Sequence, residues 1–195
     1  LALTPDRTID VRHQRALTRY YCAAGAGGLA VGVHTTQFAI HEPATNLYTP
    51  VLKLAMDVVI NEHPDAGSRP VMIAGIVGET DQARKEAETA VHLGYDCGLL
   101  SLSALQDASD ASLIRHAQAV AQVIPLVGFY LQPAVGGRLL SYDFWRAFAD
   151  IDRVVAIKIA PFNRYHTLDV VRAVPDAGRT DDSALYPGHD DNILL

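Results

Sequence analysis

A chain of 195 residues, 49% apolar and 19% charged, is long enough to bury a core and ordinary in composition for a folded protein. Its net charge of −6 gives no electrostatic basis for nucleic acid or an anionic membrane as partner, and no apolar run approaches the ~20 residues of a membrane span. Two cysteines, Cys22 and Cys97, are too few for a disulfide framework and lack zinc-ligand spacing, so buried reduced thiols are expected.

Along the chain, helix-like and strand-like segments alternate. A basic region followed by an apolar stretch is not visible at 1–6, so a cytoplasmic location is expected. A helix is predicted over 9–24. It closes in Gly25-Ala26-Gly27-Gly28, which leads into a strand instead of joining a strand to a helix, and so is a turn and not a nucleotide-binding loop. A strand over 28–34, a helix over 48–62 and a strand over 71–77 follow. Thr80 can cap the next helix (80–93), with Asp81 in its first turn and Gly94 closing it. Then come a strand (97–103), a helix (110–123), a strand (125–132), a helix (142–148), a strand (154–161), a helix (164–174) and a strand (184–187). Ser141 and Asn163 are further N-cap candidates, and 175–183 is a polar surface loop. This alternation argues for a parallel α/β sheet. With no linker or low-complexity segment, one domain over 1–195 is expected.

The faces of the strands narrow the architecture. Val155, Ile157 and Ile159 share one face of their strand, and Ala156, Lys158 and Ala160 the other. In Val127-Gly128-Phe129-Tyr130-Leu131-Gln132, bulky Val127, Phe129 and Leu131 oppose Gly128, Tyr130 and Gln132. In Leu29-Ala30-Val31-Gly32-Val33-His34, bulky residues oppose Ala30, Gly32 and His34. An aliphatic face against outer helices, with a small face that turns polar toward the C-terminal end, suits a (β/α)8 TIM barrel with its site at the C-terminal rim. About six complete strands are visible, and Leu1-Ala2-Leu3-Thr4-Pro5 can end another. The expectation is therefore an incomplete barrel, lacking the start of its first strand and everything from the eighth onward.

Lys158 is the most informative residue. In the run Val154-Val155-Ala156-Ile157-Lys158-Ile159-Ala160-Pro161, an ammonium loses hydration, which lowers its pKa. A neutral buried amine is a nucleophile suited to Schiff-base chemistry. The alternative is a strand-end lysine that reaches water or pairs with a carboxylate. Tyr130, a phenol able to donate and accept a proton, is the candidate acid/base. Its alternative is a barrel-filling aromatic whose hydroxyl finds a carbonyl.

With these residues in place, the chain resembles the dihydrodipicolinate synthase / N-acetylneuraminate lyase family of class I aldolase-type enzymes. The resemblance runs from Leu3-Thr4-Pro5 to Gly188. It is most specific in Gly128-Phe129-Tyr130-Leu131-Gln132-Pro133, like the family's tyrosine strand ending Tyr-Asn-x-Pro, and in Ala156-Ile157-Lys158-Ile159-Ala160, like its Gly-Ile-Lys strand. The resemblance implies that Lys158 forms an imine with pyruvate or another 2-oxo acid, with an aldehyde as second substrate, and that Tyr130 relays protons. It further implies no metal or other cofactor, and a homo-oligomer, tetramer or dimer.

Several positions depart from the family. Its carboxylate-holding Gly-Thr-Thr-Gly-Glu turn is replaced by Gly32-Val33-His34-Thr35-Thr36-Gln37-Phe38. Without a gap, Val33 and His34 fill the paired hydroxyl positions; a small insertion brings Thr35 and Thr36 there. His34 is either an added acid/base or substrate contact, or a satisfied core histidine. No second tyrosine follows Leu100-Ser101-Leu102-Ser103. Val135 stands where the synthases place an arginine, and Arg138, three residues on, is the substitute candidate. Gly188, at a Gly-Asp-like turn, allows close approach to substrate or is a plain turn glycine. These changes argue against dihydrodipicolinate synthase activity itself and for a paralogue with another substrate. Two other readings stay open: a metal-dependent barrel using His34, His189, Asp190 and Asp191, and a non-catalytic small-molecule-binding barrel. Five other histidines, His13, His63, His92, His116 and His166, are expected on helices as surface or packing residues.

Overall fold

A computed structural model of the protein describes residues 1–33 and 38–188. His34, Thr35 and Thr36, and the His189, Asp190 and Asp191 of the metal alternative, lie outside the described residues. The chain divides into two compact units, Leu1–Gly75 with Thr89–Asp96, and Ile76–Glu88 with the residues from Cys97 onward.

In the first unit, α1 (Val11–Ala23) leads through the glycine turn to β1 (Gly28–Val31). A second helix, α2 (Tyr48–Glu62), then leads to β2 (Val71–Ile76), of which all but Ile76 belongs to this unit. Asp10 caps α1 by accepting from the His13 backbone N–H. β1 and β2 pair in parallel, Leu29 opposite Met72 and Val31 opposite Ala74. Two neighbouring strands in parallel require a crossover, here α2. Its apolar side (Val51, Leu52, Ala55, Met56 and Val59) is buried together with Met72 and Ala74. Two tyrosines satisfy their hydroxyls inside this core: Tyr48 donates to the Gly75 carbonyl (2.8 Å) and Tyr95 to the Leu52 carbonyl (2.9 Å).

The second unit carries β3 (Cys97–Leu100), α4 (Asp110–Ala121), β4 (Leu126–Leu131), α5 (Tyr142–Ala149), β5 (Val154–Ala160), α6 (Arg164–Asp176) and β6 (Ala184–Pro187). The helix between β2 and β3, α3 (Thr80–His92), has its first turns here and its last in the first unit. The strands lie parallel in chain order, β3-β4-β5-β6, the pattern that successive strand–helix repeats produce. Side-chain caps fix where three helices begin. Ser109 accepts from Ser112 N–H, Ser141 from Phe144 N–H, and Asn163 from both Tyr165 and His166 N–H groups.

β1 ends at Val31, short of the expected 28–34, and β3, α6 and Cys22 also differ from the sequence-based expectation. β3 stops at Leu100, where 97–103 was expected. The Ser101 N–H still donates to the Ile76 carbonyl (2.9 Å), and the Ser101 and Ser103 hydroxyls bond each other just beyond it (2.9 Å). α6 runs through Pro175 to Asp176, two residues into the expected loop. Arg179 then ties that loop down by donating to the carbonyls of Asp152 and Val154. Cys97 is buried, but Cys22 is only half-buried on α1; both are free thiols. Among the described residues, no helix is long and apolar enough to cross a membrane.

Candidate active site

Which side of the second unit's sheet bears the chemistry is decided by α5. Its three aromatics, Phe144, Trp145 and Phe148, pack against one another with ring centroids 5.1–5.9 Å apart and are each 1% exposed. Rings of that size need a flat place on the strand beneath. Gly128 supplies it: a Cβ there would lie 2.7 Å from Phe148 and 3.3 Å from Trp145. Gly128 therefore faces the helices, and so does Tyr130, two residues on. The Tyr130 ring lies 5.1 Å from that of Trp145 and 6.2 Å from that of His166. Its hydroxyl donates to the Leu140 carbonyl (3.2 Å) and accepts from the Leu140 N–H (3.3 Å). The side chain is fully buried, and burial raises the phenol's pKa, which holds its proton in place.

The other face of β4 carries Val127, Phe129 and Leu131. In the β4–β5 register Phe129 is paired with Lys158, and Tyr130 with Ile159. The Lys158 ammonium sits over the Phe129 ring, 4.7 Å from its centroid, a cation–π arrangement. The expected partnership of Lys158 and Tyr130 is thus corrected: the sheet places them on opposite faces. The rule that bulky residues face the helices fails on β4 because α5 brings the bulk itself. The placement of Ala156, Lys158 and Ala160 on one face of β5 matches the sequence-based expectation.

Lys158 is half-buried, and desolvation lowers its pKa. Among the described residues it makes no ion pair and no side-chain hydrogen bond, so the Phe129 ring face is its one electrostatic support there and burial lowers its pKa all the same. The chain's two other lysines sit differently: Lys53 is ion-paired to Asp57 on the exposed side of α2 (3.0 Å), and Lys85 is exposed on α3.

Gly188 joins Lys158's side of the sheet. Its N–H donates to the Ile159 carbonyl (2.7 Å), and a Cβ there would lie 3.1 Å from both Lys158 Cε and Ala160 Cβ. A side chain at 188 would press on the lysine, so glycine keeps the amine's surroundings open. Arg138 is committed elsewhere. Its Nη1 donates to the Leu105 (2.7 Å) and Ala108 (2.9 Å) carbonyls, stitching the loop after β4 to the loop after β3. Beside it, Leu102, Ser103, Phe129, Leu131, Gly137 and Leu140 line a small cleft that is mostly apolar. Among the described residues no group of three His, Cys, Asp or Glu side chains is placed to hold a metal.

One residue on this face was not foreseen. In the β5–β6 register Lys158 pairs with Tyr186, which is 59% exposed. Only strand pairing reveals it; the short run Ala184-Leu185-Tyr186-Pro187 carries no sign in sequence of which neighbour it meets.

No protein-family model matches the chain. A 4-hydroxy-tetrahydrodipicolinate synthase of Exiguobacterium sibiricum is 28% identical to it over 130 residues, 66% of this chain and 43% of that protein. Among solved structures, dihydrodipicolinate synthase from Oceanobacillus iheyensis matches with a TM-score of 0.74 at 20% identity, over 94% of this chain and 56% of its own. A prophage protein of the dihydrodipicolinic acid synthase family from E. coli K12, solved with pyruvate, matches with a TM-score of 0.81 at 22% identity, over 97% and 61%. The Acinetobacter baumannii synthase, also solved with pyruvate, matches with a TM-score of 0.77 at 22% identity, over 95% and 60%. The chain spans 43% of the curated relative and 56 to 61% of these solved chains. In fold it corresponds to part of their (β/α) barrel.

Proposed function

We propose that this chain, a member of the dihydrodipicolinate synthase / N-acetylneuraminate lyase family by sequence and fold, carries the Schiff-base centre of a carbon–carbon lyase or synthase, with Lys158 as nucleophile and pyruvate or another 2-oxo acid as substrate. The observation that carries this reading is the Lys158 amine: desolvated on Phe129, without an ion pair among the described residues, and left open by Gly188. A lysine in that setting releases its proton more readily than one in water and is nucleophilic when neutral.

The chemistry follows from the amine. Its lone pair adds to the ketone carbon, and the carbinolamine loses water to give an iminium. That cation draws electrons from the adjacent carbon, which can then lose a proton and, as an enamine, add to an aldehyde; the reverse sequence cleaves the bond. Hydrolysis of the final iminium returns Lys158. The lysine is itself the electron sink, so no cofactor is proposed. The second substrate is proposed to be an aldehyde other than that of dihydrodipicolinate synthase. Val135 occupies the position of the family's arginine, and Arg138 is engaged by backbone carbonyls. Assembly as a homo-oligomer and a cytoplasmic location complete the reading.

The test is intact-mass measurement after incubation with pyruvate and borohydride, alongside Lys158→Ala. A reduced adduct on the wild type, absent from the variant, is expected. Its absence with pyruvate and a panel of 2-oxo acids would overturn the proposal in favour of a metal-dependent or non-catalytic barrel.

A further inference from the structure

We infer that Tyr186 is the proton-transferring phenol of this site, in place of Tyr130. The inference rests on the Schiff-base reading of Lys158. Three observations carry it. In a parallel ladder the paired residues of neighbouring strands, ~4.7–4.9 Å apart, project to the same side, and the Lys158–Phe129 contact shows this directly on the β4 side. The β5–β6 register puts Tyr186 in the same row on the lysine's other flank. Gly188, which shares a side with Tyr186 by alternation, directs its open Cβ position at Lys158 Cε. That places the Tyr186 side chain on the amine's face.

Among the described residues, the competing groups are occupied or inert. Phe129 has no proton to give. The Tyr130 hydroxyl is buried on the far face with both its bonds spent on Leu140. Ser101 and Ser103 bond each other. The Tyr186 hydroxyl, by contrast, makes no hydrogen bond among the described residues, and its ring is exposed.

The step balances without an added reagent. The phenol protonates the carbinolamine hydroxyl, and the C–O bond breaks as the nitrogen lone pair forms C=N, releasing water. The phenolate then takes a proton from the carbon next to the iminium, which regenerates the phenol and leaves the neutral enamine.

The experiment is single-turnover adduct formation with pyruvate and cyanoborohydride on the full chain. Tyr186→Phe is expected to slow imine formation by ~10²-fold, the lower range for general acid–base catalysis, while Tyr130→Phe stays within about twofold of wild type. Adding Phe129→Tyr to Tyr186→Phe returns a phenol to the same row on the opposite flank and is expected to recover at least ~10-fold. A purely structural role for Tyr186 would not be rescued this way. A Tyr186→Phe rate within twofold of wild type, or a slow variant that Phe129→Tyr leaves slow, overturns the assignment while the Lys158 adduct stands. Should Tyr186→Phe melt well below wild type, Tyr186→His takes its place, with retained imine formation and a pH profile moved into the imidazole range expected; loss of imine formation overturns the assignment. No adduct on the wild type overturns the Schiff-base reading and this inference together.

Discussion

Replacing Gly128 by alanine sets a methyl group against two rings that are already enclosed. The new Cβ would lie 2.7 Å from Phe148 Cε1, 3.1 Å from its Cζ and 3.3 Å from Trp145 Cζ3. Carbon contacts are favourable at ~3.5–4.0 Å, so the closest atom must retreat by about 0.8 Å. Both rings are 1% exposed and wedged among Phe144 and each other, so neither can swing into water. Overpacking of this kind costs ~1–3 kcal/mol. Loss of glycine's freedom in the unfolded chain offsets ~0.4–1 kcal/mol of that. With the 2.7 Å contact enclosed, the overpacking cost falls in the upper half of its range, about 2–3 kcal/mol, so the net is about 1–2.6 kcal/mol and Tm falls by roughly 2–10 °C for a chain of this size. Thermal unfolding followed by circular dichroism measures it, with Gly27→Ala, where the added Cβ meets nothing within 4 Å, as the control, whose Tm should hold or rise slightly through the same unfolded-chain effect. An unaltered or raised Tm for Gly128→Ala would refute the assignment of β4's faces and return Tyr130 to the lysine's side.

Further outcomes follow from the same structure. Tyr130→Phe leaves the Leu140 N–H and carbonyl without their buried partner and should cost ~1–3 kcal/mol in denaturant unfolding, with the borohydride adduct intact. Phe129→Ala admits water to Lys158 and relieves its desolvation, so the midpoint of the pH–rate profile for adduct formation should move upward toward the ordinary lysine value of 10.5; an unmoved midpoint would deny Phe129 that role. His116 is buried on α4 with Nδ1 2.9 Å from the Thr80 hydroxyl, and burial lowers its pKa below 6.5. The unfolded chain therefore binds more protons in that range. Stability should be full above about pH 6.5 and fall as pH drops toward the folded-state value, a dependence that His116→Gln should flatten in pH-resolved melting curves. Arg138→Met should loosen the loops at Leu105 and Ala108, read as faster amide exchange there, and leave the pyruvate adduct in place.

The strand–helix alternation was legible because each segment repeats one period and the caps at Ser141 and Asn163 mark true starts. Lys158 was legible because a charge within an apolar strand is costly wherever it points. The faces of β4 were not. Both sides of that strand are buried, so polarity does not distinguish them, and size misleads when the covering helix is aromatic. The three aromatics in Tyr142–Ala149 opposite Gly128 were the sign available in the sequence. Tyr186 was illegible for another reason: its importance comes from its register with Lys158, which only strand pairing fixes.

The most direct test of the Lys158 assignment is peptide mapping after reduction with pyruvate and borohydride. Trypsin ordinarily cuts at Arg153, Lys158 and Arg164, and a reduced adduct on Lys158 blocks the middle cut. The expected result is an uncut peptide over 154–164 carrying the reduced pyruvate. Modification at Lys53 or Lys85 with normal cleavage at Lys158 would contradict the account.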